Sequence, residues 1–462
     1  MFMAYNDKNI NRRSFLKRIL ASGAVVSATA VGCNSPINKS LVVQDVPTDK
    51  MTYRLNSKGE KVSILGYGCM RLPTKSVEID GKVESIIDQD MVNRHIDYSI
   101  EHGINYFDTS PAYCKGKSEE AMGLALSRHD RSKYFIATKL SNFAKSTWGY
   151  KESVNMYYNS FKYLQVDYID YMLLHGIGMG GMENLKARYL DNGVLDFLLN
   201  ERENGKIRNL GFSYHGDVEC FDYLLSKHDE YKWDFVQIQL NYIDWNHAVR
   251  DANAEYLYAE LKKRNIPIVI MEPLRGGALA NVNFNILAMM KRIDSDASAA
   301  SWAFRYAGTP AGILTVLSGM TYMEHLQENI CTYSPLVPLN DDETDMLHRA
   351  AELILKYPLI GCTSCQYCMP CPYGLDIPSI FSHYNKCINE GNFTDNIKDP
   401  NYADARRAFL IGYDRSVPKL RQAFHCVRCH KCEEHCPQSI PIADKMLMID
   451  EFVEKLKRND NS

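Results

Sequence analysis

The amino-acid sequence predicts an α/β protein in which a (β/α)8 TIM barrel is followed by a smaller, mainly α-helical C-terminal domain. Two observations favour this fold class. Short apolar runs alternate eight times with amphipathic stretches, and eight of the 14 cysteines are gathered in two runs near the C-terminus. The 462 residues are enough for two or more domains, and 45% apolar with 24% charged residues is an ordinary globular balance.

The first 33 residues have the pattern of an export signal. Arg12 and Arg13 precede an apolar segment that is too short to span a bilayer, and this pattern resembles a twin-arginine signal. The residues before Cys33 resemble a lipoprotein cleavage box, and cleavage after Ala30 by an ordinary signal peptidase is the alternative. We therefore expect export by a twin-arginine-type route, to the periplasm or to a membrane as a lipoprotein, with Cys33 as the candidate lipid anchor.

The eight predicted strands are β-branched or aromatic runs, and helical patterns lie between them. In chain order they are SILGYGC at 63, INYFDTS at 104, YFIATKL at 134, YIDYMLLH at 168, IRNLGFSY at 207, FVQIQLNY at 235, IPIVIMEP at 266 and GILTVLSG at 312. Such alternation is typical of parallel strands that are buried on both faces and closed into a barrel. A doubly wound open sheet is the alternative, although GYGCMR is only a fragment of its glycine fingerprint. Before the first strand, a hairpin turning at Lys58-Gly59 is expected under the barrel.

Polar side chains stand at the predicted carboxyl ends of successive strands, where such a barrel carries its chemistry. Asp108 and Tyr113 follow the second strand, Lys139 ends the third and His175 ends the fourth. A lysine ammonium lowers the pKa of a nearby phenol, a carboxylate keeps that lysine charged, and a neutral imidazole donates a hydrogen bond to a carbonyl oxygen. Four complementary groups therefore indicate acid–base catalysis. The ends of three later strands carry Ser213, Asn241 and Glu272.

The motifs FDTSPAYCKGKSEEAMGLAL, FIATKL and DYMLLHGI resemble those of the aldo/keto reductases over about residues 51–335. The resemblance implies that these four residues form a catalytic tetrad. In it, Tyr113 protonates the carbonyl oxygen of a small substrate as hydride arrives from NAD(H) or NADP(H), and alcohol oxidation is the reverse. The resemblance also implies nucleotide contacts from Ser213 and Gln237 near the carboxamide and from Glu328 and Asn329 toward the adenine.

Some residues depart from the pattern of that family. The tripeptide 213–215 reads SYH where Ser-Asn is frequent, and Met271 stands where an aromatic ring often stacks on the nicotinamide. No lysine or arginine lies between Arg305 and Arg349, the stretch in which family members bind the 2′-phosphate of NADP. We therefore expect NADH to bind more tightly than NADPH, with Arg275 as a candidate replacement for the missing charge.

The two cysteine runs have the spacing of iron–sulfur ligands. CVRCHKCEEHCPQ is the C-x2-C-x2-C-x3-C-P pattern of bacterial ferredoxins, in which the fourth cysteine reaches the other cluster. The predicted ligands of two [4Fe–4S] clusters are Cys362, Cys365, Cys368 and Cys436 for one and Cys426, Cys429, Cys432 and Cys371 for the other. The first run is one residue shorter than usual, which leaves the partner of its last cysteine open. Paired C-x2-C motifs also form structural zinc sites, which are the alternative.

Helical patterns between the two runs resemble the helical ferredoxin-like iron–sulfur domains of respiratory and flavin-linked oxidoreductases. The expected domains are a signal peptide at 1–33, a linker at 34–50, the aldo/keto reductase-type barrel at 51–335, a connecting segment at 336–361 and the iron–sulfur domain at 362–462. A net charge of -3 gives no electrostatic footprint for nucleic acid, which we exclude as a partner. Export after folding would allow clusters to be loaded in the cytoplasm.

Two functions of different class fit these patterns. The favoured one is an oxidoreductase of aldo/keto reductase type that interconverts a carbonyl compound and an alcohol and carries an iron–sulfur electron-transfer domain, with a redox partner protein as a candidate. The alternative is an exported iron–sulfur electron-transfer protein whose barrel binds a ligand or partner without nicotinamide turnover. The intact tetrad favours the first, whereas Met271 and the missing basic residues favour the second.

Overall fold

The computed structural model describes residues 46–249 and 252–458. The predicted signal peptide, the candidate lipid anchor Cys33 and most of the linker 34–50 lie outside the described residues. No helix in the described ranges has both the length and the apolar character needed to cross a membrane.

Twelve strands are formed in this part of the chain. In order they are β1 (Tyr53–Leu55), β2 (Lys61–Ser63), β3 (Leu65–Gly68), β4 (Thr74–Ile79), β5 (Lys82–Ile87), β6 (Tyr106–Asp108), β7 (Phe135–Leu140), β8 (Ile169–Ile177), β9 (Ile207–Tyr214), β10 (Phe235–Gln239), β11 (Ile268–Met271) and β12 (Ile313–Ser318). Eight of them form a closed barrel in the order β10-β11-β12-β3-β6-β7-β8-β9, with every pair parallel. Because β12 pairs with β3, the sheet has no open edge, and the predicted barrel is confirmed over the doubly wound alternative.

Two antiparallel hairpins accompany the barrel. β1 and β2 form the predicted one, and Asn56 at its turn donates a hydrogen bond to the Tyr171 hydroxyl at 3.0 Å, near the amino end of β8. β4 and β5 form a second hairpin that the sequence analysis missed. Its turn is Asp80-Gly81, with φ of 51° and 74°, a dipeptide suited to such turns. The first hairpin covers the end of the barrel that lies opposite the predicted site.

Helices surround the barrel and continue past its last strand. The barrel helices, leaving out single turns of other helix types, are α1 (Gln89–Glu101), α2 (Ser118–Leu126), α3 (Tyr150–Leu164), α4 (Gly181–Leu185), α5 (Val194–Glu203), α6 (Val218–Ser226), α7 (His228–Tyr231), α8 (Asp244–His247), α9 (Ala254–Lys263), α10 (Phe284–Lys291), α11 (Ala299–Gly308), α12 (Met323–Thr332) and α13 (Asp341–Ile354). Met346, Leu347 and Ala350 of α13 are buried in the barrel's core. The segment 336–361, expected to be a connection, therefore contains a helix that packs as part of the barrel.

The C-terminal domain, residues 361–458, has its own core. It contains α14 (Ile377–Asn389), α15 (Tyr402–Ser416) and α16 (Ile442–Arg458). Phe381, Phe409 and Ile449 from these three helices are buried together. Tyr357 and Leu359, just before the domain, pack against this core and against the barrel's core, so the two cores adjoin.

Candidate active site

Three barrel strands and one loop bring the tetrad together. Asp108 ends β6, Lys139 is the penultimate residue of β7, and His175 lies near the end of β8. Parallel pairing of these neighbouring strands places the three side chains at one edge of the barrel. Tyr113 follows β6 in a short 3₁₀ turn, and all four residues are at most 8% exposed.

Lys139 is the electrostatic centre of this group. Its ammonium donates to Asp108 Oδ1 at 2.5 Å and to the carbonyl oxygen of Thr109 at 2.8 Å. The same Nζ lies 4.8 Å from the centroid of the Tyr113 ring. A buried ion pair thus holds a positive charge beside the phenol, where it stabilises a phenolate.

His175 is held as a neutral ring. Its Nδ1 lies 2.6 Å from Ser141 Oγ, and its backbone carbonyl accepts from Arg188 at 2.6 Å. Burial lowers the pKa of His175 well below its ordinary value, and the positive charges of Lys139 and Arg188 lower it further. When the Ser141 hydroxyl donates to Nδ1, the ring proton stands on Nε2 and can be donated to a substrate oxygen.

The pKa of the Tyr113 phenol differs from the one expected from the sequence. Burial raises the pKa of Tyr113 well above its ordinary value, and the Asp108 carboxylate and the Tyr367 hydroxyl raise it further. Desolvation therefore outweighs the nearby Lys139 ammonium, so the net pKa of Tyr113 is raised where the sequence alone led us to expect a lowered one. A phenol with a raised pKa keeps its proton at neutral pH but is a weak acid, so proton donation by Tyr113 depends on the Lys139 ammonium that stabilises the phenolate left behind.

A cavity of about 510 Å³ starts at the tetrad and runs across the barrel mouth. Asp108 and Tyr113 line it, as do Gln237 and Met271. Glu328 and Asn329, for which the resemblance implied contacts toward an adenine, are also among the lining residues. Gln237 Nε2 donates to Met271 Sδ at 3.4 Å, while its buried Oε1 has no hydrogen-bond partner among the described residues. A carboxamide NH2 would satisfy that oxygen, so these residues fit a nicotinamide.

Three other predicted site residues are engaged elsewhere. Ser213 Oγ accepts from the Gly176 amide at 3.0 Å, and Asn241 donates to Asp244 Oδ2 at 2.5 Å. Arg275 Nε lies 3.4 Å from Asp244 Oδ1, so its charge is already paired. Ser213 and Asn241 thus contact neighbouring strand ends, and the nucleotide contact of Ser213 stays a prediction. Arg275 is poorly suited to replace a phosphate-binding residue, because its charge is paired with Asp244.

His215 is a cavity residue that the sequence analysis treated only as a departure from the family pattern. Burial, followed by the charge of Lys139, lowers its pKa to about 4. A neutral imidazole therefore faces the cavity beside the tetrad at neutral pH.

The C-terminal domain forms a further wall of this cavity. Its lining residues are Thr363, Cys365, Tyr367, Pro437 and Gln438. The Tyr367 hydroxyl lies 3.4 Å from His175 Nε2. This wall was not predicted, because strand and cysteine patterns identify two domains but contain no signal for the surfaces through which the domains meet.

The cysteines fall into the two predicted sets. Cys371, Cys426, Cys429 and Cys432 line one small cavity, while Cys362, Cys365, Cys368 and Cys436 lie close enough to affect one another's pKa. The last cysteine of each run thus lies with the other run, as ferredoxin-type ligation requires. No group of three His, Cys, Asp or Glu side chains within the described ranges could hold a metal ion. The set formed by Cys371, Cys426, Cys429 and Cys432 instead surrounds a cavity, and this arrangement suits a multi-iron cluster.

The barrel and the C-terminal cysteines define an oxidoreductase with an attached iron–sulfur domain. Residues 64–352 match the model of the aldo/keto reductase family, so the chain belongs to that family. Residues 361–440 match the model of a 4Fe-4S dicluster domain, which supports iron over zinc.

Known proteins resemble the barrel part of the chain. L-galactose dehydrogenase of Arabidopsis thaliana is 25% identical over 308 residues, which are 63% of this chain and 90% of that protein. The holo form of an aldo-keto reductase from Bacillus halodurans has a TM-score of 0.51 at 21% identity, covering 65% of this chain and 96% of its own. An aldo-keto reductase from Klebsiella pneumoniae in complex with NADPH has a TM-score of 0.51 at 20% identity, and the match covers 65% of this chain and 94% of that chain. These two structures support the fold alone.

Proposed function

We propose that the protein interconverts a small carbonyl compound and the corresponding alcohol, with a nicotinamide bound in the barrel cavity. The observation that carries this proposal is the convergence of Asp108, Tyr113, Lys139 and His175, the first two of which line that cavity. Gln237, Glu328 and Asn329 would hold the nucleotide, and the nicotinamide would supply or accept the hydride at the carbonyl carbon.

Each tetrad residue has a defined part in moving the proton. In the reduction direction Tyr113, whose raised pKa keeps it protonated, donates its proton to the substrate oxygen. The Lys139 ammonium, 4.8 Å from the ring, stabilises the phenolate that remains, and Asp108 holds that ammonium in place. Nε2 of His175 orients the carbonyl oxygen. In alcohol oxidation the Tyr113 phenolate takes the proton back.

The test uses the full chain, purified without oxygen so that its clusters are retained. NADH oxidation is followed with 4-nitrobenzaldehyde and with a panel of aldoses, and NAD⁺ reduction with L-galactose, a sugar chosen because a relative is named for it. The Tyr113→Phe variant should lose about 10²- to 10⁴-fold in kcat/KM, the usual contribution of general acid catalysis. Tyr163→Phe, which removes an exposed hydroxyl on α3, is the matched control. Full activity in Tyr113→Phe would refute the role of Tyr113.

A second function has one observation in its favour. Cys365, a predicted ligand of the first cluster, lines the same cavity as Tyr113. A redox ligand bound there would lie against that cluster, which fits an electron-transfer protein without nicotinamide turnover. The nucleotide that co-purifies with the protein distinguishes the two functions: NAD(H) or NADP(H) supports the first, and a flavin supports the second.

Localisation follows from the N-terminal pattern alone. Arg12, Arg13 and the apolar segment after them support export of the folded chain to the periplasm or, through Cys33, to a membrane. Replacing both arginines by lysine should retain the protein in the cytoplasmic fraction. Unchanged fractionation of that variant would contradict a twin-arginine route.

A further inference from the structure

Tyr367 belongs to the C-terminal domain but lies at the catalytic end of the barrel. We propose that Tyr367 is a positioning residue of the carbonyl site, supplied to the barrel by the domain that carries the clusters. The inference rests on the proposed function, because it assigns Tyr367 to the substrate oxygen of that reaction.

The contacts of Tyr367 place its hydroxyl beside the proton donors. Its oxygen lies 3.4 Å from His175 Nε2, the ring nitrogen that Ser141 does not contact. Its ring packs against Phe143, with centroids 5.6 Å apart, and Phe143 in turn packs against His175 at 4.8 Å. Tyr113 and Tyr367 line the same cavity. A substrate oxygen between Tyr113 and His175 is therefore within reach of a third donor.

Two hydrogen bonds between the C-terminal domain and the barrel hold this placement. Arg71, just after the first barrel strand, donates to the Thr363 carbonyl at 2.5 Å. Gln438, in the second cysteine run, donates to Gln239 Oε1 at the end of β10 at 3.2 Å. The domain that carries Tyr367 is thereby held to the barrel at two places, after β3 and at the end of β10.

A barrel glycine is adapted to the same contact. Gly276 has φ of +68°, and a Cβ there would lie 2.2 Å from the Thr363 carbonyl oxygen. Only glycine accommodates this close approach without a shift of the backbone. The docking surface is therefore built into the barrel, and Tyr367 enters the site as part of a shaped interface.

The chemistry of a phenol suits this position. A hydroxyl that donates to the carbonyl oxygen orients the substrate and polarises its bond without exchanging a proton. Tyr367 lies between Cys365 and Cys368 in the chain, so ligation of the first cluster restrains the backbone on both sides of it. The clusters would thus help to order the substrate end of the barrel.

The test compares Tyr367→Phe with wild type as full-length, cluster-loaded protein. Phenylalanine keeps the packing on Phe143 and removes only the hydroxyl. With 4-nitrobenzaldehyde and NADH we expect kcat/KM to fall about fivefold to tenfold, as for the loss of one neutral hydrogen bond, with most of the change in KM. The dissociation constant of NADH should stay within about twofold, and the Tyr163→Phe control should match wild type. An unchanged or increased kcat/KM would overturn the proposal, an increase meaning that Tyr367 obstructs the site.

A spectroscopic readout separates this inference from the proposed function. Adding 4-nitrobenzaldehyde with NAD⁺, which permits no turnover of the aldehyde by reduction, should change the visible circular dichroism of the clusters in wild type but not in Tyr367→Phe. The same change in both proteins would contradict the role of Tyr367. Failure of the proposed function would appear differently, as no turnover of any probe by wild type.

Discussion

The buried ion pair between Lys139 and Asp108 allows a prediction whose size follows from its geometry. The two side chains are 0% and 3% exposed, and their charged atoms are 2.5 Å apart. Lys139→Met removes the ammonium but nearly preserves the volume of the side chain. Asp108 Oδ2 already has no partner among the described residues, so the variant leaves a buried carboxylate with neither oxygen bonded.

The expected cost is large for one substitution. Removing one partner of a buried pair typically destabilises a protein by about 3–5 kcal/mol. Asp108→Asn in the Lys139→Met background removes the unpaired charge, so the double variant should recover about 2 kcal/mol or more of that loss. Recovery of stability in the double variant would show that the cost of Lys139→Met is electrostatic, since a simple loss of packing would not be recovered.

Urea unfolding followed by tryptophan fluorescence measures this cost in the barrel. The four tryptophans, all in the barrel part of the chain, are Trp148, Trp233, Trp245 and Trp302. A loss below about 1 kcal/mol, the range of an exposed pair, would refute the reasoning. So would a double variant that is no more stable than Lys139→Met.

The penalty should also depend on pH with a defined sign. Burial raises the pKa of Asp108, and Lys139 is the group that counters this increase. An acid whose folded-state pKa is raised destabilises the fold above that pKa, and the penalty fades as the pH falls and the carboxyl takes up a proton. The stability difference between Lys139→Met and wild type should therefore shrink at acidic pH, and growth of that difference would contradict the assignment.

Two further predictions concern the cofactors. Cys429→Ser should reduce bound iron from about eight atoms per chain to about four, since it removes a ligand of one cluster. The control variant Cys331→Ser, at a half-buried thiol of the barrel, should leave the iron content unchanged. Unchanged iron in Cys429→Ser would refute the second ligand set. NADH should bind more tightly than NADPH in fluorescence titrations, because the cavity contains Glu328 and the segment 306–348 contains no lysine or arginine. A lower dissociation constant for NADPH would contradict this prediction.

Sequence patterns predicted the features that depend on local spacing. The eight strands followed from apolar runs, because strands buried on both faces need apolar side chains throughout. The convergence of Asp108, Lys139 and His175 followed from strand order, because the ends of parallel neighbours meet at one edge. The two cysteine sets followed from the ferredoxin spacing, and the structure groups Cys371 with the second run despite the shortened first run.

Features that depend on long-range packing were not predictable in the same way. The placement of Tyr367 beside His175 joins positions 192 residues apart, across two domains. The raised pKa of Tyr113 depends on its desolvation by residues that are distant in the chain, which no short motif encodes. α13 (Asp341–Ile354) lies within the segment 336–361 that was predicted to be a connection, although its apolar face packs in the core of the barrel.

The most direct test of the central claim is the fate of hydride carried by C4-deuterated NADH, in protein purified without oxygen and supplied with 4-nitrobenzaldehyde. We expect deuterium to reach the carbonyl carbon, so that mass spectrometry finds monodeuterated 4-nitrobenzyl alcohol. Tyr113→Phe should form about 10²- to 10⁴-fold less of this alcohol per unit time. Oxidation of the deuterated NADH with reduction of the clusters and no deuterium in the alcohol would contradict hydride transfer to the carbonyl carbon.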